Sequence, residues 1–321
     1  MNKKVKWGVL GYARIAKEHV IPAIMKSANS EFYAVASRDE EKLKSCREQF
    51  GCEKTYKSYE ELLDDPEVDA VYIPLPNGLH KEWTIKAAQK GKHILCEKPI
   101  ALNTDECLEM IRACEDNKVK LMEAFMYRYT KRTQKVWEIL ESGMIGDIKY
   151  INSSFRFHLT RYPDVRLEPG LGGGSLYDVG CYPINFIGMV TGQTPSSMSA
   201  ECVLNNGVDV IFSAVLKYDS GIIATINCGF NAFLRVFSEV VGTKGVMEIP
   251  DTFFDNAGII TVNTAEGKKE IEVEASERYV LEVEDFADAV LHDRKPLFSL
   301  DETVRNMKII DSLLEMVHKK G

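Results

Sequence analysis

The sequence predicts an α/β protein of two domains. The first is an N-terminal doubly wound parallel sheet over residues 1–123, and the second a C-terminal α+β domain with a large, mainly antiparallel sheet over residues 124–321. Three observations carry this expectation. Over the first third, short apolar runs alternate with helical stretches of ~10 to 15 residues, as strands and crossover helices do in a parallel sheet. After about residue 123 the alternation stops, and β-type runs separated by turn signals take over. At 321 residues the chain is long for one hydrophobic core and comfortable for two.

Val5–Leu10 reads as the first strand, ending at Gly11. Ile15–Ser27 reads as a helix that Pro22 kinks or interrupts. Phe32–Ser37 is a second strand, and Glu40–Phe50 a helix that Gly51 is suited to end. Ala70–Pro74 is a strand, Lys81–Lys90 a helix, and His93–Cys96 another strand. Asp105–Asn117 is a helix capped by Asn103 or Thr104, and Lys120–Ala124 closes the series as a strand. Ligands of such sheets bind beyond the carboxyl ends of the strands, and Gly11, Ser37, Pro74 and Glu97 fall there.

In the remainder, Asp147–Leu159, Val208–Tyr218, Gly221–Phe230, Phe237–Ile249, Gly258–Asn263 and Lys268–Val273 read as strands. Asp219-Ser220-Gly221 and Glu266-Gly267 supply hairpin turns. A glycine-rich loop, LGGGSLYDVGCYPIN at 171–185, runs into a helix, and helices near Val280–His292 and Asp301–His318 close the chain. The apolar runs FSAVLKY and ATINCGF suggest that one sheet face pairs with another subunit, as a homodimer or homotetramer.

A net charge of −8 does not suggest a nucleic-acid partner, and no apolar run approaches the ~18 residues of a membrane span. The start, MNKKVKWGVLG, lacks the pattern of a signal peptide, so the expected location is cytoplasmic. Eight scattered cysteines with no CxxC read as reduced, buried thiols, and six dispersed histidines give no metal-ligand spacing.

The turn after the first strand, Gly11-Tyr12-Ala13-Arg14-Ile15-Ala16, fits GxGxxG with alanine at the second and third glycine positions. The glycine permits the tight turn, and small residues let backbone N–H groups approach a pyrophosphate. The second strand ends in Ser37-Arg38, where an NAD site carries an acid, and Lys42 follows one helical turn on. A hydroxyl donor, a guanidinium fork and a further cation favour the phosphate of NADP. Asp39 keeps NAD open, and a solvated charged loop is the plain alternative. The stretch HILCEKP, 93–99, ends an apolar strand on Glu97, Lys98 and Pro99. Lys98 there is either half of an ion pair with Glu97 or a crevice residue with a chemical task.

Four stretches together carry a family resemblance: WGVLGYARIA, VYIPLPNGLHKEWTIKAAQKGKHILCEKP, MEAFMYRY and GGGSLYDVGCYPIN. Over nearly its whole length the chain resembles the glucose–fructose oxidoreductase, inositol dehydrogenase and MocA family of pyridine-nucleotide oxidoreductases. The resemblance implies a Rossmann domain, a hydride transfer between nicotinamide and a sugar or polyol carbon, and a catalytic lysine at Lys98, with Pro99 holding a tight turn. It implies Tyr182 as the acid/base group of DxGxY, with Asp178 four residues earlier. Tyrosine rather than histidine at 182 resembles the glucose–fructose, aldose and dihydrodiol dehydrogenase branch. The implied cofactor contacts are Gly11, Tyr12, Ala13, Arg14 and Ile15 at the pyrophosphate, and Ser37, Arg38 and Lys42 at the adenosine end. Tyr56, Pro74, Asn77 and His80 would line the crevice, with Glu97, Lys98, Arg128 and Arg166 near the nicotinamide. His80 as a helix cap and Arg166 as a plain loop residue are the alternatives. A keto-sugar reductase, a dihydrodiol dehydrogenase or a cofactor-binding regulator without turnover would share these motifs.

Overall fold

The computed structural model describes residues 3–318. The chain divides into two compact units. One comprises the residues up to Met126 together with Tyr279–Val304; the other comprises Tyr127–Arg278 and the chain from Arg305.

The first unit begins β1 (Val5–Leu10), a π-helical turn at Ala16–Val20, α1 (Ile21–Lys26), β2 (Ser30–Ala36), α2 (Glu40–Phe50), β3 (Lys54–Tyr56) and α3 (Tyr59–Asp64). It continues β4 (Ala70–Ile73), α4 (His80–Gln89), β5 (His93–Glu97), α5 (Thr104–Asp116) and β6 (Leu121–Ala124). The six strands are all parallel, in the order β3-β2-β1-β4-β5-β6. This is the doubly wound order, with its reversal between β1 and β4 and its crevice beyond their carboxyl ends. Every residue of β4 is buried, as a strand covered on both faces requires. Pro22 lies in the first turn of α1, directly after the π-helical turn, where its missing N–H costs no helical bond. Asn103, rather than Thr104, caps α5 through a bond from the Glu106 N–H. Neither β3 nor α3 stands out in the sequence, since three and six residues are too few to show a period.

The second unit holds α6 (Lys131–Glu141), β7 (Ile148–His158), α7 (Cys181–Thr191), β8 (Ser197–Asn205), β9 (Val208–Lys217) and β10 (Ile223–Gly229). Then follow β11 (Asn231–Gly242), β12 (Gly245–Pro250), β13 (Gly258–Thr264) and β14 (Gly267–Val273). Its eight strands run β14-β13-β12-β11-β7-β10-β9-β8, antiparallel except for the β7–β10 pair. The single strand expected at Phe237–Ile249 is two: Val241 pairs with Val246 across a turn at Thr243-Lys244. The buried positions are Val236, Ser238 and Val240 before the turn and Met247 and Ile249 after it, so the alternation shifts by one residue across it. Helix α7 is buried from Cys181 through Met189.

Two helices remain, α8 (Arg278–Leu291) and α9 (Leu300–His318). Sequence order put both in the second domain, but residues 279–304 pack with the first unit. Phe286 sits 5.5 Å from Trp7, Phe298 lies 5.3 Å from Phe125, and the Asn29 side chain donates to the Glu284 carbonyl at 2.9 Å. An amphipathic pattern specifies that a helix has a buried face, not which sheet it covers.

Candidate active site

The nucleotide end of the first unit is built from strand exits. Gly11 has φ of +95°, a conformation open to glycine, and its N–H donates to the Ala36 carbonyl at 2.8 Å. A Cβ there would meet the Tyr59 hydroxyl and Leu75 at 3.2 Å. Tyr12 turns inward, its hydroxyl donating to Gln49, so Tyr12 and Ala13 offer backbone rather than side chain at the turn. Arg14 is exposed and loosely paired with Glu18 at 3.9 Å. Ile15 continues the helical segment that enters the π-helical turn.

At the exit of β2 the three candidate residues take different roles. The Ser37 hydroxyl accepts from the Asp39 N–H at 3.1 Å, which leaves its own proton to be donated. Arg38 and Lys42 are exposed. The Asp39 carboxylate caps α2, accepting from the N–H groups of Glu41 and Lys42 at 3.1 and 3.3 Å. Both cap bonds end on Oδ1 of that carboxylate. Tyr56 holds the same loop: its carbonyl accepts from the Ser37 N–H, while its hydroxyl donates to Asp65 at 2.5 Å. Its side chain braces β3 against the end of α3.

The turn bearing Lys98 is braced on three sides. Tyr72 of β4 donates to the Glu97 carboxylate. His80, fully buried at the start of α4, places Nδ1 2.9 Å from the Pro99 carbonyl and Nε2 2.8 Å from the Leu75 carbonyl. The Ile100 N–H donates to Glu123 of β6 at 3.0 Å. The Lys98–Pro99 peptide is cis. Burial pushes the His80 imidazole down, and Lys98 pushes it the same way. Burial and the neighbouring Glu97 charge hold the Tyr72 phenol well above its ordinary range. His80 is therefore a strut of the crevice wall. Pro74 follows β4, and Asn77 opens the short 3₁₀ turn that leads into α4.

In the second unit, Asp178 lies in a π-helical turn, Leu176–Gly180, that runs directly into α7 and Tyr182. The Tyr182 ring is 4% exposed and sits among Tyr127, Phe155 and Phe253 at centroid distances of 6.0, 5.4 and 5.3 Å. Beside it, the Asn185 carbonyl accepts from the Tyr127 hydroxyl at 2.5 Å and from Arg128 at 3.4 Å. Arg166 donates through Nε to Asp178 at 2.6 Å and through a terminal nitrogen to Asp164 at 3.2 Å. The guanidinium is already matched by two carboxylates, and Asp178 above all holds its pKa up. Structural convergence thus groups Arg166 with Asp178, in the second unit.

Residues 5–125 match the model of an oxidoreductase family with an NAD-binding Rossmann fold, and residues 133–248 match the GFO/IDH/MocA C-terminal domain. The chain belongs to the GFO/IDH/MocA oxidoreductase family. Like the family, it is an NAD(P)-dependent oxidoreductase. It is 38% identical to D-xylose 1-dehydrogenase (NADP(+)) 2 of Haloferax volcanii over 315 residues, 96% of each chain. It is 34% identical to trans-1,2-dihydrobenzene-1,2-diol dehydrogenase of Xenopus tropicalis, over 83% of this chain and 81% of that one. The crystal structure of KijD10, a 3-ketoreductase from Actinomadura kijaniata, in complex with NADP and TDP-benzene, shares the fold at a TM-score of 0.92. Identity to it is 27%, over 98% of both chains.

This GFO/IDH/MocA chain also carries site-supporting residues that sequence reasoning missed. Asp209 of β9, nearly buried, accepts from the Ser175 hydroxyl at 2.6 Å and the Leu176 N–H at 2.8 Å. It thereby anchors the start of the segment that carries Asp178 and Tyr182. Gly174, at φ +124°, lets the chain pass so close that a Cβ would sit 2.3 Å from Asp209. A charged residue inside the run VDVIF was the available signal, because a carboxylate in a buried strand needs donors. Among the described residues, no group of acids, histidines and cysteines could hold a metal ion. No helix there is long and apolar enough to cross a membrane.

Proposed function

We propose that this oxidoreductase prefers NADP and acts on a sugar, polyol or related alcohol or carbonyl carbon, with Lys98 and Tyr182 as its acid/base groups. The observation that carries the cofactor preference is the exit of β2. It carries Ser37 and Arg38, and its nearest acid, Asp39, caps α2 through one carboxyl oxygen. Gly11 to Ile15 would receive the pyrophosphate, and Ser37, Arg38 and Lys42 the adenosine-side phosphate. The NADP named for the Haloferax dehydrogenase and bound in the KijD10 structure supports the same preference.

Bound nicotinamide supplies and accepts the hydride; the chain's residues manage the proton. An ordinary tyrosine, with a pKa near ~10, is a poor base at neutral pH. A cation favours the phenolate form of a tyrosine, and Lys98 is the cation proposed for this task. Asp178, which accepts from Arg166, also accepts a hydrogen bond from a substrate hydroxyl and orients it. The aromatic enclosure of Tyr182 by Tyr127, Phe155 and Phe253 keeps water from the phenol. The same enclosure favours, as a second reading, a cyclic diol of the kind that the Xenopus relative is named for. A keto-sugar reductase would run the chemistry in reverse on the same groups.

Ile211, Val215 and Ile223 lie exposed along β9 and β10, and we assign that sheet face to a homodimer or homotetramer. The eight free cysteines fit a reducing, cytoplasmic setting. The test is a fluorescence titration with NADPH and NADH, followed by a screen of aldoses, polyols, keto sugars and dihydrodiols with the tighter cofactor. Tight NADPH binding and turnover of one of these classes is the expected result. Equal affinity for NADH overturns the cofactor preference, and binding without turnover of any alcohol favours a regulator.

A further inference from the structure

Glu123 is a buried acid with no part in the chemistry above. It is 1% exposed, and it lies opposite Cys96 in the register of β5 and β6. One carboxyl oxygen accepts from the Ile100 N–H at 3.0 Å, immediately after the cis peptide of the Lys98 turn. The other oxygen is buried without a hydrogen bond and faces the Thr303 hydroxyl, which is buried without one as well. The Thr303 hydroxyl can donate to that oxygen when Glu123 is ionised, and a proton on that oxygen can be donated to Thr303 when it is not.

The charged and titratable groups that face Glu123 are few. From the Lys98 turn come the ammonium of Lys98 and the carboxylate of Glu97. From β5 and α5 come the thiols of Cys96 and Cys107, both pushed up by burial, Cys107 to about 12. From α9 comes the uncharged hydroxyl of Thr303. Burial raises the Glu123 carboxyl to about 8, against the smaller downward pull of the Thr303 hydroxyl, the Ile100 N–H and Lys98. Lys98 thus has beside it a second, buried site for a proton that empties just above neutrality.

We propose that Glu123 is a positioning residue for Lys98: it fixes the Lys98 turn through the Ile100 N–H, and its own ionisation sets the upper pH to which Lys98 stays charged. Below the ionisation of Glu123 the neutral acid only braces the turn. Above it, the proton leaves to solvent and the new carboxylate stabilises the ammonium, so the two groups titrate as a coupled pair.

The effect on catalysis rests on the role assigned to Lys98 above, so the deciding readout is independent of turnover. Glu123→Gln keeps an oxygen for the Ile100 N–H but cannot ionise. Acylation of Lys98 by acetic anhydride, followed across pH by mass spectrometry, should show its midpoint lowered by roughly one pH unit in this variant. A carboxyl stretch titrating near pH 8 in the infrared spectrum of the wild type should vanish. NADPH affinity should stay within about twofold. Glu123→Leu, which removes the acceptor, should lose tenfold or more in turnover while it still folds and binds NADPH. An unchanged Lys98 midpoint in folded Glu123→Gln overturns the coupling, and wild-type turnover in Glu123→Leu overturns the positioning role. If Lys98 itself proves dispensable for turnover, the assigned catalytic role fails, while the acylation profiles still decide the coupling.

Discussion

The imidazole of His80 bridges two chain segments, with Nδ1 2.9 Å from the Pro99 carbonyl and Nε2 2.8 Å from that of Leu75. It ties the exit of β4 to the turn that carries Lys98. Both neighbours are acceptors, so a neutral ring satisfies one and a charged ring both, while burial opposes the charge. His80→Leu would strand the one buried carbonyl to which the neutral ring donates, worth about 1 to 3 kcal/mol. We expect a loss of about that size in urea unfolding, with turnover falling more than NADPH affinity. A variant as stable as the wild type would remove the strut.

Arg38 and Asp39 are neighbours with separate tasks, and mutation should separate them. Arg38→Ala removes a charge-assisted contact, worth about 1.5 to 3 kcal/mol, that only the extra phosphate makes. NADPH affinity should fall roughly tenfold to a hundredfold, with NADH affinity unchanged. Asp39→Ala should cost about 1 kcal/mol of stability through the lost cap of α2 and leave the NADPH to NADH ratio as it was. Equal losses for both cofactors in Arg38→Ala would contradict the phosphate role.

Lys98→Met and Tyr182→Phe test the proposed proton chemistry. General acid–base catalysis contributes typically ~10² to 10⁴ in rate. Each variant should lose turnover in that range and retain NADPH binding. Tyr182→Phe should also flatten the pH–rate profile. A normal profile in that variant assigns the proton transfer elsewhere.

The parallel sheet was legible because its strands are long enough to show apolar runs and its helices long enough to show a period. Gly11, Ser37 and Lys98 were singled out by their place at strand exits, a consequence of topology rather than of side-chain type. The hydrogen bonds of His80, Tyr56 and Asp39 were not legible: a polar residue beside a crevice reads as a ligand contact, and its partners within the chain show only in the structure. The partners of Glu123 and Asp209 were not legible, because their donors lie 23 and 33 or 34 residues away in sequence.

Glu123 also predicts a slope in stability. Its folded pKa, about 8, exceeds an unfolded value near ~4.3. Between these values the folded state holds a proton that the unfolded state has released. This contribution is complete below pH ~4.3 and is lost as pH rises through 8, by on the order of 3 to 5 kcal/mol. Glu123→Gln should therefore gain stability relative to the wild type as pH rises from 5 to 9 in denaturant titrations. A difference that does not change with pH would show that Glu123 is ionised throughout.

Arg166 can be assigned by asking which binding constant it controls. It holds Asp178 at 2.6 Å and Asp164 at 3.2 Å, so its removal leaves two carboxylates without their shared cation. Asp178 then loses the cation that holds its carboxylate in place, and the hydroxyl that it orients is held less well. For Arg166→Ala we expect KM for the alcohol to rise about tenfold, at roughly the 1.4 kcal/mol of one weakened charged hydrogen bond. The NADPH Kd should stay unchanged. Arg166→Lys, which keeps the charge but not the two-pronged geometry, should fall between. The opposite pattern, a raised NADPH Kd with KM unaltered, would return Arg166 to the cofactor contacts that the family resemblance implied.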